Sequence, residues 1–124
     1  PLVTGFSQGG IMTFALAVTH PEVLAAAFPI SGLLPLSLYP SAAVSSEPRP
    51  AMLPPVTAFH GAVDRAVPTD GARASIAELR RAGYTAELRE YVGLAHDISG
   101  EELGEILERL GRAADGLADA APAP

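Results

Sequence analysis

The sequence predicts an α/β protein built on a mostly parallel sheet of about four strands with flanking helices, and three observations predict it. Short apolar segments alternate with helical ones in the order strand, helix, strand, loop, strand, helix, strand, helix. Glu22 is the only formally charged side chain among the first 46 residues, a composition that fits strands covered on both faces. The chain has 124 residues, 48% of them apolar and 18% charged, which suits one domain with a sizeable core and is poor material for disorder or a coiled coil.

Each element has a local reason. Leu2 to Gly5 reads as the end of a short strand. Gln8 to Thr19 follows as a helix whose apolar surface comes from Ile11, Met12, Ala15, Leu16 and Val18, and His20-Pro21 stops it. Ala25 to Ser31 reads as a second buried strand, with Pro29 as its weak point because a central strand needs that N–H. Leu33 to Pro55 is a Pro-rich loop that also holds Ser37, Ser41, Ser45 and Ser46. Its Leu33, Leu34, Leu36 and Leu38 either cover a pocket or pack on the sheet, and packing is the expectation.

Val56 to His60 is the third strand. Thr69 to Ala82 is a helix with Ala72, Ile76 and Leu79 on one face and Gly83 as its C-terminal cap. Thr85 to Tyr91 alternates as a fourth strand. The last helix opens at Ser99 with Glu102 three residues on, a capping box, and carries Leu103, Ile106, Leu107 and Leu110 as one stripe. Beyond Gly111 the Ala/Asp/Gly/Pro composition predicts a frayed tail over 113–124.

Composition excludes several functions. Fourteen acids against eight arginines and no lysine give a net charge of −6, and the arginines are scattered, which disfavours nucleic acid and anionic membranes as partners. The absence of cysteine removes disulfides, thiolate nucleophiles and the common zinc-finger ligand sets. No apolar run approaches the roughly 20 residues that span a bilayer.

Gly5-Phe6-Ser7-Gln8-Gly9 matches G-x-S-x-G and stands where that motif acts, after a strand and at the start of a helix. A sharp turn there strains the serine backbone and projects Ser7 into a cleft, with small residues expected at Gly5 and Gly9 to avoid collisions with the neighbouring strand and helix. The positive end of the helix favours a developing oxyanion, and the Gln8 N–H is a natural donor to it. The bland reading of the same letters is a glycine-rich turn.

A serine hydroxyl needs a base, and the base needs a carboxylate to orient it. His20 lies at a helix end, where interaction with terminal carbonyls explains it. His60 ends a strand before Gly61 and reads as a packed or hydrogen-bonded turn residue. His96 follows the fourth strand at the same sheet edge that presents Ser7, so the base is expected there. Asp64 follows the third strand at that edge too. Asp70 has a sufficient role at a helix start, and Asp97 would have to bend back to reach the ring of its neighbour.

The chain order Ser7, Asp64, His96 is that of α/β-hydrolases. The sequence resembles the phospholipase/carboxylesterase family of that fold, the group that includes acyl-protein thioesterases and small bacterial carboxylesterases. Gly5-Phe6-Ser7-Gln8-Gly9-Gly10, Pro29-Ile30-Ser31-Gly32, His60-Gly61 with Asp64 and Val67-Pro68, and Gly93 with His96 and Ile98 carry the resemblance. It implies Ser7 as nucleophile, His96 as base then acid, Asp64 as orienting acid and Gln8 as one oxyanion donor. The implied reaction is hydrolysis of carboxylic esters or thioesters through an acyl-serine, without metal or organic cofactor, in a cytoplasmic protein.

The Pro-rich connection from Leu33 to Pro55 is long and irregular for this family, several times an ordinary loop of about 4–6 residues. The chain also opens at Pro1 inside a strand, so residues 1–112 are expected to be the C-terminal part of a hydrolase domain, with the N-terminal strands and the second oxyanion donor missing. The first strand would then leave an apolar edge for the missing half to pair with. The competing function is a catalytically incompetent module that uses the same framework to bind a partner or small ligand. Peptide or lactone hydrolysis would share the triad and differ in the pocket.

Overall fold

The computed structural model describes residues 1–40 and 52–120. Part of the Pro-rich segment, with Ser41, Ser45 and Ser46, and the last four residues of the tail lie outside the described residues. The elements are β1 (Leu2–Phe6), α1 (Gln8–Thr19), β2 (Ala26–Ile30), β3 (Val56–Gly61), α2 (Thr69–Arg81), β4 (Ala86–Tyr91) and α3 (Gly100–Ala120), with single 3-10 turns at Pro21–Val23 and Leu36–Leu38. The strands form one sheet in the order β1-β2-β3-β4, and every neighbouring pair is parallel. The expected α/β architecture with a parallel sheet is the one observed.

Strand alternation divides the core between two faces. Ala27, Val56, Ala58 and Ala86 face α1 and α2, where Phe14, Ala17, Ile76 and Leu79 meet them. Ala26, Phe28, Ile30, Phe59 and Tyr91 face α3 and its Ile106, Leu110 and Ala113. β2 is buried along its whole length, which is why its sequence reads as a continuous apolar run.

Pro29 does sit in this central strand, at the cost of one rung. The amides of Ala27 and Ser31 on either side both point to β3, bonding Pro55 O at 3.0 Å and Phe59 O at 2.8 Å. Pro29 falls between them without a donor, and the β2–β3 register consists of only two matched pairs, Ala27 with Val56 and Ile30 with Phe59.

Three expectations fail, each for a reason. In α1 the buried residues are Gly10, Thr13, Phe14 and Ala17, while Met12 is exposed, because a helix apolar on nearly all sides carries no periodic signal to select its face. The last helix does not end near Gly111 but continues to Ala120, since Gly111 and Gly116 meet open space and the surrounding alanines and leucines favour helix. Its inner stripe keeps Ile106 and Leu110 of the expected four but not the other two. Leu103 is 47% and Leu107 59% exposed, and the position facing inward one turn before Ile106 is Glu102 at 0%.

Glu102 explains why the capping box is half formed. Ser99 Oγ accepts the Glu102 N–H at 3.1 Å, but the carboxylate does not return to the Ser99 amide, and both of its oxygens are buried without a hydrogen bond. Burial, with the charges of Asp97 and Glu105 adding to it, pushes this carboxyl up to about 7. A carboxyl raised in the folded state carries no penalty below its unfolded value near 4.5 and loses stability as pH rises through about 7. The expected outcome is that the difference in unfolding free energy between wild type and Glu102→Gln shifts against wild type by roughly 3 kcal/mol between pH 4.5 and 8, read by urea unfolding across that range. A pH-independent difference would mean that Glu102 ionises freely in the folded protein.

Candidate active site

All three elements of the site arise where a parallel strand ends, so the C-terminal edge of the sheet gathers them. The first is the turn from β1 into α1. Ser7 stands at its apex with φ 58° and ψ −113°, a left-handed backbone that a non-glycine residue adopts only under constraint. The constraints are backbone hydrogen bonds on both sides: the Ser7 N–H donates to Ile30 O at 2.9 Å, and Ser7 O accepts the first helical bond from Ile11 N at 3.0 Å.

Glycine is needed around this turn, though not at both of the positions the motif fixes. A Cβ on Gly5 would lie 2.5 Å from Gly9 O, so Gly5 is required as expected. A Cβ on Gly9 would meet nothing within 4 Å among the described residues. Gly9 contributes its backbone to the close approach rather than the room for a side chain. Two further obligatory glycines are Gly10, whose Cβ would strike Ile30 O, and Gly32, whose Cβ would lie 2.5 Å from the Gly10 carbonyl carbon. Through them the start of α1 rests on the backbone that leaves β2.

The second and third elements are the turns after β3 and β4. Val63 N bonds Leu94 O at 3.0 Å and Ala62 N bonds Tyr91 O at 2.9 Å, which zips the two turns together beyond the strands. Gly61 makes this approach feasible, because a Cβ there would collide with the carbonyl oxygens of both Leu94 and Ala95. Gly93, at φ +75°, turns the chain off β4.

These turns carry Asp64 and His96 to Ser7. His96 Nε2 lies 2.9 Å from Ser7 Oγ, and His96 Nδ1 lies 2.7 Å from Asp64 Oδ2. An ionised carboxylate only accepts, so Nδ1 carries the proton and Nε2 is left as the acceptor for the serine hydroxyl. Asp64 is fully buried, and its second oxygen Oδ1 accepts the amides of Ala66 and Val67, both at 2.9 Å. Burial alone would raise its pKa, but the Val67 amide, the His96 hydrogen bond and the nearby imidazoles hold the carboxyl below the usual range. The Gln8 N–H lies in the first turn of α1, where backbone amides have no intrahelical acceptor.

The rival residues lie elsewhere. Asp70 is 92% exposed and pairs with Arg73 at 2.9 Å. Asp97 Oδ1 accepts the Ile98 amide at 2.7 Å. The His20 ring is exposed and hydrogen-bonds the Thr19 hydroxyl rather than terminal carbonyls. His60 is buried, with Nε2 2.7 Å from Val67 O. Sequence reasoning passed over Phe6, whose ring stacks on that of His96 with centroids 5.0 Å apart. Nothing in the motif distinguishes that position, written x in G-x-S-x-G.

At the same end of the molecule a cavity of about 430 Å³ opens between the segment after β2 and the start of α2, lined by Leu33, Leu34, Leu36, Tyr39, Gly71 and Ala74. Leu34 also belongs to the core and Leu38 packs against it, so the leucines of this segment serve both packing and pocket. Among the described residues no group of three or more histidines, aspartates or glutamates could hold a metal ion, and no helix is long and apolar enough to cross a membrane.

A serine at a strained strand-to-helix turn on a parallel sheet, with histidine and aspartate on later strand ends, defines an α/β-hydrolase framework. The chain belongs to the phospholipase/carboxylesterase family, whose model matches residues 2–112. It is 36% identical to carboxylesterase SOBER1 of Arabidopsis thaliana over 82% of this chain and 43% of that protein. It is 32% identical to a probable inactive carboxylesterase of Oryza sativa subsp. japonica, Os04g0669700, over 89% of this chain and 46% of that one. The crystal structure of Arabidopsis thaliana SOBER1 superposes with a TM-score of 0.74 at 31% identity, over 91% of this chain and 52% of that one. The chain thus spans less than half the length of these curated relatives.

The two oxygens of Asp64 have separate tasks, and two substitutions separate them. Asp64→Asn keeps an oxygen for the Ala66 and Val67 amides and is expected to unfold within about 1 kcal/mol of wild type. Asp64→Ala leaves both amides without that acceptor and is expected to cost about 1–3 kcal/mol more. Chemical denaturation of the two variants checks this, and equal stabilities would mean that the turn does not depend on the carboxylate.

Proposed function

We propose that Ser7, His96 and Asp64 are the nucleophile, general base and orienting acid of a serine hydrolase that cleaves carboxylic esters or thioesters. The hydrogen-bonded line from Ser7 Oγ through His96 to the buried Asp64 is the observation that carries this reading. The family membership and the names of the relatives support it.

In the proposed reaction Ser7 Oγ attacks the carbonyl carbon while its proton passes to His96 Nε2, and Asp64 stabilises the imidazolium. The oxyanion of the tetrahedral intermediate faces the Gln8 N–H and the positive end of α1. His96 then protonates the leaving alkoxide or thiolate, and an acyl-Ser7 remains. Water, deprotonated by His96, attacks that ester, and Ser7 regains its proton as the carboxylic acid leaves. In this fold the second oxyanion donor comes from polypeptide ahead of the nucleophile strand, and one such donor is typically worth about 10²–10³ in rate.

The apolar cavity suits the hydrocarbon part of an acyl substrate. A Cβ at Gly71 would already press Leu33 Cδ2 at 2.9 Å, so Gly71→Leu fills the cavity. It is expected to lower kcat/KM for long-chain p-nitrophenyl esters about tenfold or more while leaving the acetate ester nearly unchanged, since each buried methylene is worth about 0.8 kcal/mol. An equal loss on all chain lengths would remove the cavity from the substrate site.

The deciding experiment is labelling with a fluorophosphonate probe and mass-spectrometric mapping of the modified residue. Ser7 is expected to carry the label, Ser7→Ala and His96→Ala to lose it, and Asp64→Asn to retain a small residue of reactivity, down about 10⁴-fold. Unchanged labelling in Ser7→Ala would sink the mechanism. A second reading, a hydrolase framework that only binds, is favoured by the similarity to a relative named as probably inactive. A folded protein that never labels, even with the polypeptide that precedes these residues in the family supplied in trans, would establish it.

A further inference from the structure

His60 fills no role in the chemistry above, yet it is 1% exposed and its donor nitrogen is committed. Val67 O, 2.7 Å from Nε2, is a carbonyl with lone pairs only, so the ring donates its Nε2–H there. The Val67 N–H is given to Asp64 Oδ1 at 2.9 Å. Val67 is therefore held on both sides, its carbonyl by His60 and its amide by Asp64. The same Nε2 lies 3.5 Å from Asp64 Oδ2, the oxygen that meets His96 Nδ1 at 2.7 Å. A residue that only packed at the end of β3 would need no N–H, and burying an imidazole there costs free energy that an apolar side chain would not.

We propose that His60 is a positioning residue of the site: its Nε2–H, given to the Val67 carbonyl, closes the turn from Gly61 to Val67 around Asp64 and so fixes the distance and angle at which Asp64 meets His96. The strand anchors the ring, the ring anchors Val67, and Val67 anchors the carboxylate. The same nitrogen lies 3.5 Å from Asp64 Oδ2, close enough for the ring to contribute to keeping this carboxyl acidic. The kinetic consequence rests on the proposed hydrolase function, whereas the geometric consequence does not.

Three variants separate the donor from the volume: His60→Leu and His60→Met fill the site without an N–H, and His60→Gln keeps an amide N–H near the position of Nε2. The geometric readout is the downfield proton resonance of His96 Nδ1–H bonded to Asp64, assigned by its loss in His96→Ala. It is expected in wild type and in His60→Gln, and broadened or lost in whichever of His60→Leu and His60→Met folds. The kinetic readout is fluorophosphonate labelling, with active sites counted by titration. The apolar variants are expected to fall about 10–100-fold in labelling rate and in kcat with KM unchanged, and His60→Gln to recover most of the loss.

A folded apolar variant that keeps the resonance and labels at the wild-type rate overturns the proposal, as does loss of the resonance in His60→Gln and the apolar variants alike. Absence of the resonance from wild type overturns it too, because no held pair then exists to be positioned. A wild-type resonance that depends on the His60 N–H, in a protein that never labels at Ser7, leaves the positioning role standing and overturns the hydrolase reading alone.

Discussion

The carboxylate of Asp64 is the point on which the rest of the site depends. A buried ionised carboxylate costs several kcal/mol unless its lone pairs are filled, and here each oxygen is filled by a different part of the chain. Oδ1 takes two amides of its own turn, and Oδ2 takes the His96 ring from the turn after the next strand. One side chain thereby ties the local conformation of one loop to the position of another. The arrangement is costly to break from either end, because losing either partner set would leave a charge or two amides unpaired in the interior.

The Asp64–His96 pair can form only because backbones come closer than side chains would allow. Gly61 lets the turn after β4 pass over the end of β3, and Gly5, Gly10 and Gly32 let the start of α1 settle on β1 and on the exit from β2. Ser7 is strained as a result, and the surrounding main-chain hydrogen bonds hold it so. The parallel sheet contributes the remaining constraint: with every strand running the same way, each strand end opens on one edge, and residues 89 positions apart meet there.

Legibility of the sequence followed the strength of the local signal. α2 was readable to its buried face because Ala72, Ile76 and Leu79 alternate with charged residues, while α1 was not, because apolar side chains surround it. In α3 the periodic pattern was half right: Ile106 and Leu110 pack on the sheet. Leu103 and Leu107 face outward and a glutamate faces in, an inversion that hydrophobic periodicity cannot anticipate, since its premise is that charges stay in water. Phe6 was out of reach, because an aromatic in a variable motif position has an ordinary structural explanation when read alone, whereas His60 is the packed and hydrogen-bonded residue its place in the sequence suggested.

The sequence by itself determined the class of fold, the strand-to-helix serine turn, and the order in which serine, aspartate and histidine follow their strands, because those features are written in short-range patterns of glycine, apolar residues and turn signals. Only the tertiary structure decided which glycines are obligatory, which faces of α1 and α3 are buried, and how closely Asp64, the carboxylate its sequence position already favoured, meets His96. Those outcomes depend on distances between segments far apart in the chain, and such distances are set by how the strands pack and not by the identity of any one neighbour in sequence.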